Sequence, residues 1–531
     1  MCFTTNPLLC RMSRNIYQTL RNIRRCSYKK NKIGVGHVLT RLQERNLECF
    51  PRNVSHRHYS SSRELSALFI SPADEHNTSM VELDLDLDSR LENLDMLQDN
   101  LLRRGMVRFN LDEWVMDYKH YKRLKKEVEA VQEERKQVSR QMGDIVRQKS
   151  SSLSEEKGRL IKRGKELKLE LRQLTKPFWE IEEEVILKGL SLPNKLHPAV
   201  PLSEDMVLDD PRIAPKPTVP LPRKGSILKR LQERDLLEFS PIGPTAYYMK
   251  GDLAILEQAI SRYTQGCLES EGISGVVCPD IVKAFVVEGC GVDVTNPDKV
   301  FRLQSREEET DRSSDPASGN KSGNTLFLTG SSHYGMVASL VRMMVNEISL
   351  PIKCYTLGRS YSPVKEDGDD ENLLAVSQAT EFHLFTSCKS KSQAEEMFAL
   401  YQDVLLKMYR PFNLNMRFLN VGAKNLHGSE SRRIDVECWV PSVESFIKLA
   451  SISSCDDYFS RRLMMQCSRN MTSSPHKYQH IVHGSALVMP RFITALLENL
   501  PSRNEQVVIP DVLRSHWIGP LPHGTFTFAD S

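Results

Sequence analysis

The 12 cysteines contain no Cys-x-x-Cys pair, which excludes a zinc ribbon and leaves no disulfide framework. Free thiols in a reducing compartment are expected. No apolar run approaches the roughly 20 residues that a bilayer-spanning helix needs, so no membrane partner is expected. Also missing are a glycine loop with Lys-Ser/Thr, a dinucleotide fingerprint and a His-Glu-x-x-His helix, and with them the P-loop, Rossmann and zinc-hydrolase chemistries. His383, His427 and His480 stand isolated in the sequence, as structural histidines do, and no metal site is expected. Ser485, in His483-Gly484-Ser485-Ala486, lacks the second glycine of a nucleophile elbow. Aromatics make up 7% of the chain and the net charge is only +4, so any strong field must be local.

What is present is a long two-part heptad pattern between about Leu111 and Leu190. Leu124, Val128, Val131, Val138, Met142 and Ile145 recur at steps of four and three or their sum, as the seam of a two-stranded coil does. Arg135 falls on the seam as a polar interruption able to fix register. After Lys149-Ser150-Ser151-Ser152 the rhythm resumes with Leu160, Leu167, Leu171, Leu174, Ile181 and Val185, so the stretch reads as an antiparallel helical hairpin. Pro177 predicts a kink in the second helix. The outer faces carry Lys122, Arg123, Lys125, Lys126, Lys136, Arg140 and Arg147, answered by Lys157, Arg159, Lys162, Arg163, Lys165, Lys168 and Arg172. Such a field suits a polyanion, and these are the candidate RNA-binding residues. The same pattern also fits a solvated coiled coil whose charges serve only solubility.

A chain of 531 residues has room for two or three domains. Residues 1–59 read as a mitochondrial transit peptide: rich in arginine and serine, poor in acids, with Ile16, Leu20 and Ile23 on one helical face and Arg57-His58-Tyr59-Ser60 like a matrix processing site. A basic RNA-binding tail is the other reading. Residues 65–195 form the expected arm, with an acidic lead-in and a helix over Arg90 to Arg103 bracing its base. A proline-rich, extended linker follows over 196–225. From 226 to 531 strand-like runs (Leu326 to Leu328, Ile434 to Val440) alternate with helices (Tyr334 to Glu347, Ser392 to Met408, Met489 to Leu500), an α+β pattern with a mainly antiparallel sheet. Glu271 to Asp280 reads as a buried strand ended by proline, and Arg302 to Asn324 as a surface loop.

Taken in order, the basic coiled coil, the Leu192-Pro193-Asn194, His197-Pro198 and Val200-Pro201 junction, and Lys250-Gly251-Asp252-Leu253-Ala254 with Leu256-Glu257-Gln258-Ala259 resemble the seryl-tRNA synthetase family. The likeness continues through Asp435 to Pro441, Ser453-Ser454-Cys455, Arg461-Arg462-Leu463, His483 to Ala486 and Arg491 to Asn499. It implies a class II aminoacyl-tRNA synthetase-like antiparallel sheet with flanking helices, preceded by the coiled-coil arm, a dimer built on the first motif, and an arm that holds tRNA. The chain is most like the catalytically inactive mitochondrial members known from insects.

The resemblance also locates losses. Joining serine to ATP requires fixed cations where negative charge develops, and losing one such donor costs roughly a hundred- to thousandfold. The family's Thr-x-Glu falls on Thr329-Gly330-Ser331, so Ser331 replaces the carboxylate. Its Arg-x-Glu falls on Ser362-Pro363-Val364, leaving Ser362 for the phosphate-clamping arginine and Val364 for the glutamate. The family's Arg-Val-His-Gln/His-Phe segment becomes Ala375-Val376-Ser377-Gln378-Ala379, losing a further arginine and the aromatic, and Ser451 replaces a glutamate. Arg491 alone is retained, either facing a ligand or paired with an acid in the sheet; Arg359 and Lys365 are possible stand-ins by a shifted alignment. No catalytic residues are therefore expected, and neither ATP nor magnesium is expected to bind. The expected function is binding of tRNA(Ser) or other mitochondrial RNA in the matrix in support of mitochondrial translation, without serine-tRNA ligase activity. Alternatives are a non-catalytic partner subunit of the active mitochondrial seryl-tRNA synthetase, as homodimer or heterodimer, and a residual serine-tRNA ligase.

Overall fold

The computed structural model describes residues 66–70, 80–148, 154–202, 204–208, 227–240, 246–304, 325–363, 372–469, 476–503, 506–522 and 524–528. The transit peptide, most of the linker, Val364 and Lys365 lie outside these residues. The arm comes first. Two short helices, α1 (Leu87–Leu91) and α2 (Leu94–Arg103), lead into the long pair α3 (Leu111–Gln148) and α4 (Ser154–Leu190). The bracing helix expected over 90–103 is thus two helices: Asn93 interrupts it and caps the second by accepting from the Met96 amide at 3.2 Å. The seam forms as its periodicity requires. Leu124, Val128, Val131, Leu167 and Val185 are buried, and toward the tip Val138 and Met142 are half-buried. Trp114, Tyr118, Tyr121 and Phe178 stack along the base, Tyr121 and Phe178 with centroids 5.7 Å apart. Arg135 is exposed rather than buried in the seam, and α4 runs as one helix through Pro177.

The arm meets the body through the Leu-Pro-Asn turn. Asn194 is buried and donates its amide to the carbonyls of Ser429 at 2.9 Å and Cys455 at 2.8 Å. Arg104 donates to the carbonyls of His427, Asn194 and Glu430 and to Asn100 Oδ1, and burial lowers its pKa to about 10. A buried guanidinium with this many acceptors fixes orientation, since each lost bond would strand a charge in a dry site.

The body is built on an eight-stranded sheet: β1 (Met206–Val207), β2 (Ser274–Gly275), β3 (Ile352–Tyr361), β4 (Gln378–Cys388), β5 (Met416–Asn420), β6 (Arg432–Val440), β7 (Ser445–Asp456) and β8 (His480–Val488). Their spatial order is β1-β5-β6-β7-β8-β4-β3-β2, antiparallel except where β2 joins β3. One face packs Phe382, Leu384, Val436, Ile452 and Val482 against helices α7 (Lys391–Tyr409) and α8 (Met489–Asn499), following α5 (Gly251–Ser270) and α6 (His333–Ala338) in the chain. Side chains alternate along a strand, so the residues between these point to the opposite face.

Two expectations fail here. Glu271 to Asp280 is not a buried strand: only Ser274–Gly275 pairs, both exposed, and Val277 is 95% exposed. An apolar run beside a proline marks a strand, but does not say what covers it. The helix expected from Tyr334 to Glu347 stops at Ala338, because Arg342 takes a left-handed φ of 57° and the chain re-enters as a strand over Met344–Asn346. Of the expected surface loop, Arg302 and Leu303 belong to a strand, Phe301–Leu303, and residues 305–324 lie outside the described residues.

Candidate functional site

A cavity of about 680 Å³ opens on the second face of the sheet. Strand alternation supplies its wall: Ser360 from β3, Ala379, Glu381 and His383 from β4, Ser451 and Ser453 from β7, and His483 and Ser485 from β8. Gly484 lets β7 and β8 approach; a Cβ there would lie 2.0 Å from the Ser451 carbonyl oxygen. α6 adds His333, the turn before β6 adds His427 and Glu430, and α8 adds Arg491.

Of the residues singled out from the sequence, Ser362, Ser451 and Arg491 meet around this cavity. Ser331 does not line it: the side chain is buried, with Oγ 3.0 Å from Thr356 Oγ1. Ala375 and Ser377 flank it without lining it, whereas Val376 between them does. Arg359 is exposed and alternates with Ser360, so it lies across the sheet from the cavity and is no substitute cation. Among the described residues Arg491 forms no ion pair with an acid, although Glu381 acts on it through space. Its Nε donates to the Leu374 carbonyl at 3.0 Å and its Nη1 to that of Lys448 at 3.5 Å, and burial lowers its pKa.

Sequence reading missed most of the charged lining. His383 is not isolated: His333 stacks on His483 at 4.4 Å, and His383 stands 6.4 Å from His333, while His427 lines the same cavity. Burial drives His333 well below the usual histidine range and His483 to about 4, so these two imidazoles are neutral at pH 7. Glu381 is largely buried. Burial opposes its ionisation, but His383, 3.2 Å away, and the hydroxyls of Ser360 and Ser485 outweigh it and bring the pKa down to about 2. His383 Nε2, His483 Nε2 and Ser485 Oγ are buried and, beyond the approach of His383 and Ser485 to Glu381, make no well-directed hydrogen bond among the described residues.

The cations at the far end are already engaged. Arg433 Nη1 lies 2.9 Å from Glu430 and its Nε 3.0 Å from Asp435, while Lys448 stands 3.7 Å from Asp435. Glu430 also accepts from Ser453 Oγ at 2.6 Å and from the His427 amide at 2.7 Å. Burial works against its ionisation, yet Arg433 and His427 hold its pKa below the ordinary value. The clue in the sequence was polar alternation inside apolar strands: Glu381-x-His383, His483-x-Ser485 and Arg433-x-Asp435.

On the arm, the candidate cations split into paired and free. Arg163 bridges to Glu134 at 2.7 Å and Lys122 to Asp88 at 2.9 Å. Lys136 and Arg147 have only longer contacts, 3.7 and 3.8 Å, to acids one turn away. Glu113, Asp117 and Glu184 form an acidic cluster into which Lys188 reaches, 3.0 Å from Asp117 and 2.9 Å from Glu184.

An antiparallel sheet with a ligand-sized cavity on one face, carrying an antiparallel helical arm, defines a class II aminoacyl-tRNA synthetase fold. Residues 85–196 match the seryl-tRNA synthetase N-terminal domain and residues 320–500 the class II tRNA synthetase core domain (G, H, P, S and T). The chain is 25% identical to the serine–tRNA ligase of Dictyoglomus thermophilum over 453 residues, covering 81% of this chain and 97% of that one. It is 23% identical to the mitochondrial serine–tRNA ligase of Bos taurus over 432 residues, covering 78% and 79%. Among solved structures, the seryl-tRNA synthetase of Pyrococcus horikoshii complexed with ATP superposes with a TM-score of 0.64 at 20% identity, covering 82% of this chain and 98% of that chain. The chain belongs to the seryl-tRNA synthetase family.

Proposed function

We propose that this protein is a non-catalytic mitochondrial member of its family that binds tRNA(Ser) or other mitochondrial RNA through the arm. It neither binds magnesium-ATP nor charges tRNA with serine. The observation that carries this reading is the state of the cavity's charges. Arg433 and Lys448 face their own carboxylates, Glu381 and Glu430 are committed to internal donors, and Ser362 and Ser451 offer hydroxyls where the family resemblance places an arginine and a glutamate. A triphosphate with its metal meets, among the lining residues, only Arg491 and the exposed Lys299 as cations that face no carboxylate and only the exposed Asp293 as a carboxylate held by no cation, so the donor set does not fit the group. The mitochondrial setting rests on the basic N-terminus and on the likeness to mitochondrial relatives.

The test is thermal denaturation with and without magnesium-ATP, because any ligand that binds the native state raises its midpoint. No shift is expected; a shift of several degrees, or serine-dependent ATP–pyrophosphate exchange, revives the ligase. A second reading has its own observation. Val277 and Ile348 are 95% and 85% exposed, with Val276 and Ile281 also open. Apolar side chains so exposed suit a subunit interface, as for a partner that stabilises the active mitochondrial synthetase. Co-purification of the two chains after ribonuclease treatment supports that role, and its failure removes it.

A further inference from the structure

With Val128 and Leu171 as a positions and Leu124 and Leu167 as d positions, the charges at e, b, g and c positions of the arm can be assigned to one flank of the seam or the other, those at f lying on the outer face. In an antiparallel pair the g positions of the two helices share one flank and the e positions the other. Two contacts confirm it: Glu134 and Arg163, both g, bridge at 2.7 Å, and on the e flank Lys125 acts through space on Glu182. The flanks differ in sign. The g flank, with the adjoining c positions, carries Glu127, Glu134, Glu166, Glu170, Glu180 and Glu184. The e flank, with the adjoining b positions, carries Lys122, Lys125, Lys136, Lys165, Lys168 and Arg172; among the described residues its only acids are Glu129 and Glu182. All six cations but Lys122 are exposed. From Lys122 to Lys136, with Lys165, Lys168 and Arg172 on the second helix, this flank is a cationic strip about 21 Å long at 1.5 Å per residue, interrupted by Glu129.

At its root the strip ends in a hollow of about 490 Å³. The floor is Leu91, Leu94, Val115 and Tyr118, and the rim is Lys119, Lys122, Arg123 and Lys126. An apolar floor inside a ring of cations is complementary to a base with its flanking phosphates, since a base has an apolar π-face and a charged backbone.

Resting on the RNA-binding reading above, we infer that nucleic acid lies on the e/b flank alone, with one unpaired nucleotide seated in the hollow at the arm's root. The acidic flank faces away from it. Arg159 and Arg163, which composition alone groups with the RNA-binding residues, belong to that acidic side and make no phosphate contact.

Filter binding of the full chain to an in vitro transcribed serine tRNA tests the flank assignment. Lys165→Gln with Arg172→Gln and Arg159→Gln with Arg163→Gln remove the same charge from opposite flanks. The first pair is expected to weaken binding about tenfold and to lower the slope of log affinity against log salt by about 1.5; the second stays within about twofold with the slope unchanged. Equal losses overturn the inference while leaving RNA binding standing. No binding by the unmodified chain overturns both. Circular dichroism melts of both variants establish that the arm is folded. For the hollow, an RNA hairpin is compared with the same hairpin carrying one bulged adenosine. About tenfold preference for the bulge, abolished by Leu94→Glu, is expected; equal affinity for the two hairpins removes the seated nucleotide.

Discussion

The arm and the cavity hold the same kinds of side chain in opposite states. On the arm, Lys125, Lys165, Lys168 and Arg172 project into solvent and make no hydrogen bond or ion pair to an acid among the described residues. In the cavity, Arg433 and Glu430 are all but inaccessible and satisfy each other. A cation is available to an incoming phosphate only if no carboxylate of its own fold has claimed it. The difference teaches that charge content says little about ligand binding until its pairing is known. A sequence rich in cations at both places has kept them free at one.

The largest expected effect breaks or sharpens that contrast directly. RNA affinity should fall on the order of a thousandfold between about 50 and 200 mM salt, because each free arm cation that meets a phosphate releases a counterion. Magnesium-ATP should leave the melting midpoint unmoved at either salt concentration. A flat salt response, or an ATP shift that salt removes, reverses the roles assigned to the two regions.

Next in size is the cost of unpairing a charge. Glu430→Ala takes from the buried Arg433 one of its two carboxylates, and from Ser453 and the His427 amide their acceptor, and should destabilise the body by about 3 kcal/mol. Glu134→Ala breaks an ion pair of similar length, 2.7 Å, at the arm's surface and should leave the melting midpoint where it was. Chemical denaturation of the two variants side by side checks both. Comparable losses mean that the arm's ion pairs are as structural as the cavity's.

The cavity should also dominate the response to acid. His483 titrates near 4 in the folded protein against roughly 6.5 when unfolded, so between those values the unfolded chain binds the extra proton. Its contribution is therefore intact above about pH 6.5 and fades as pH falls toward 4, by as much as about 3 kcal/mol. Glu381, held near 2 against roughly 4.3, acts in the same sense at lower pH: its stabilisation is present above the unfolded value and is lost as pH falls toward 2. Denaturant midpoints measured from pH 7 to pH 3 should fall throughout. His483→Gln should flatten the upper part of that curve and Glu381→Gln the lower.

How much of this was legible in the sequence follows from the range of the interactions. The arm was, because a heptad is a local signal: Leu124, Val128, Val131 and Leu167 announce their burial within a few turns of their own helix. The junction and the fold class were legible through ordered motifs, and Ser362, Ser451 and Arg491 through their place in them. The histidine cluster was not, because His333, His383 and His483 meet only once β8 lies beside β4, with His383 opposite Ser485. Nor was the burial of Ser331 behind the cavity wall, for the same reason: its position is set by the contact with Thr356 on β3 rather than by anything near it in the chain. The exposure of Val277 was hidden too, since periodicity reports the shape of a segment and not its cover.

Arg135 supplies the smallest test and separates two ways in which the arm's register can be set. It occupies an a position, where a polar side chain can fix the register of a coiled coil at some cost in stability. Its side chain is exposed, however, and the charge contact across the seam nearest to it is one residue earlier, from Glu134 to Arg163. If that flanking pair and the aromatic stack of Trp114, Tyr118, Tyr121 and Phe178 hold the register, Arg135→Leu simply adds apolar area to the seam. The arm's melting midpoint should then rise, by up to about 1 kcal/mol of stability, with RNA affinity unchanged because Arg135 lies on neither flank. A fall in midpoint, or a helical pair that self-associates once the arginine is gone, would place register control in the seam itself. The two cationic half-strips, Lys122 to Lys136 on one helix and Lys165 to Arg172 on the other, would then depend on that single side chain for their alignment.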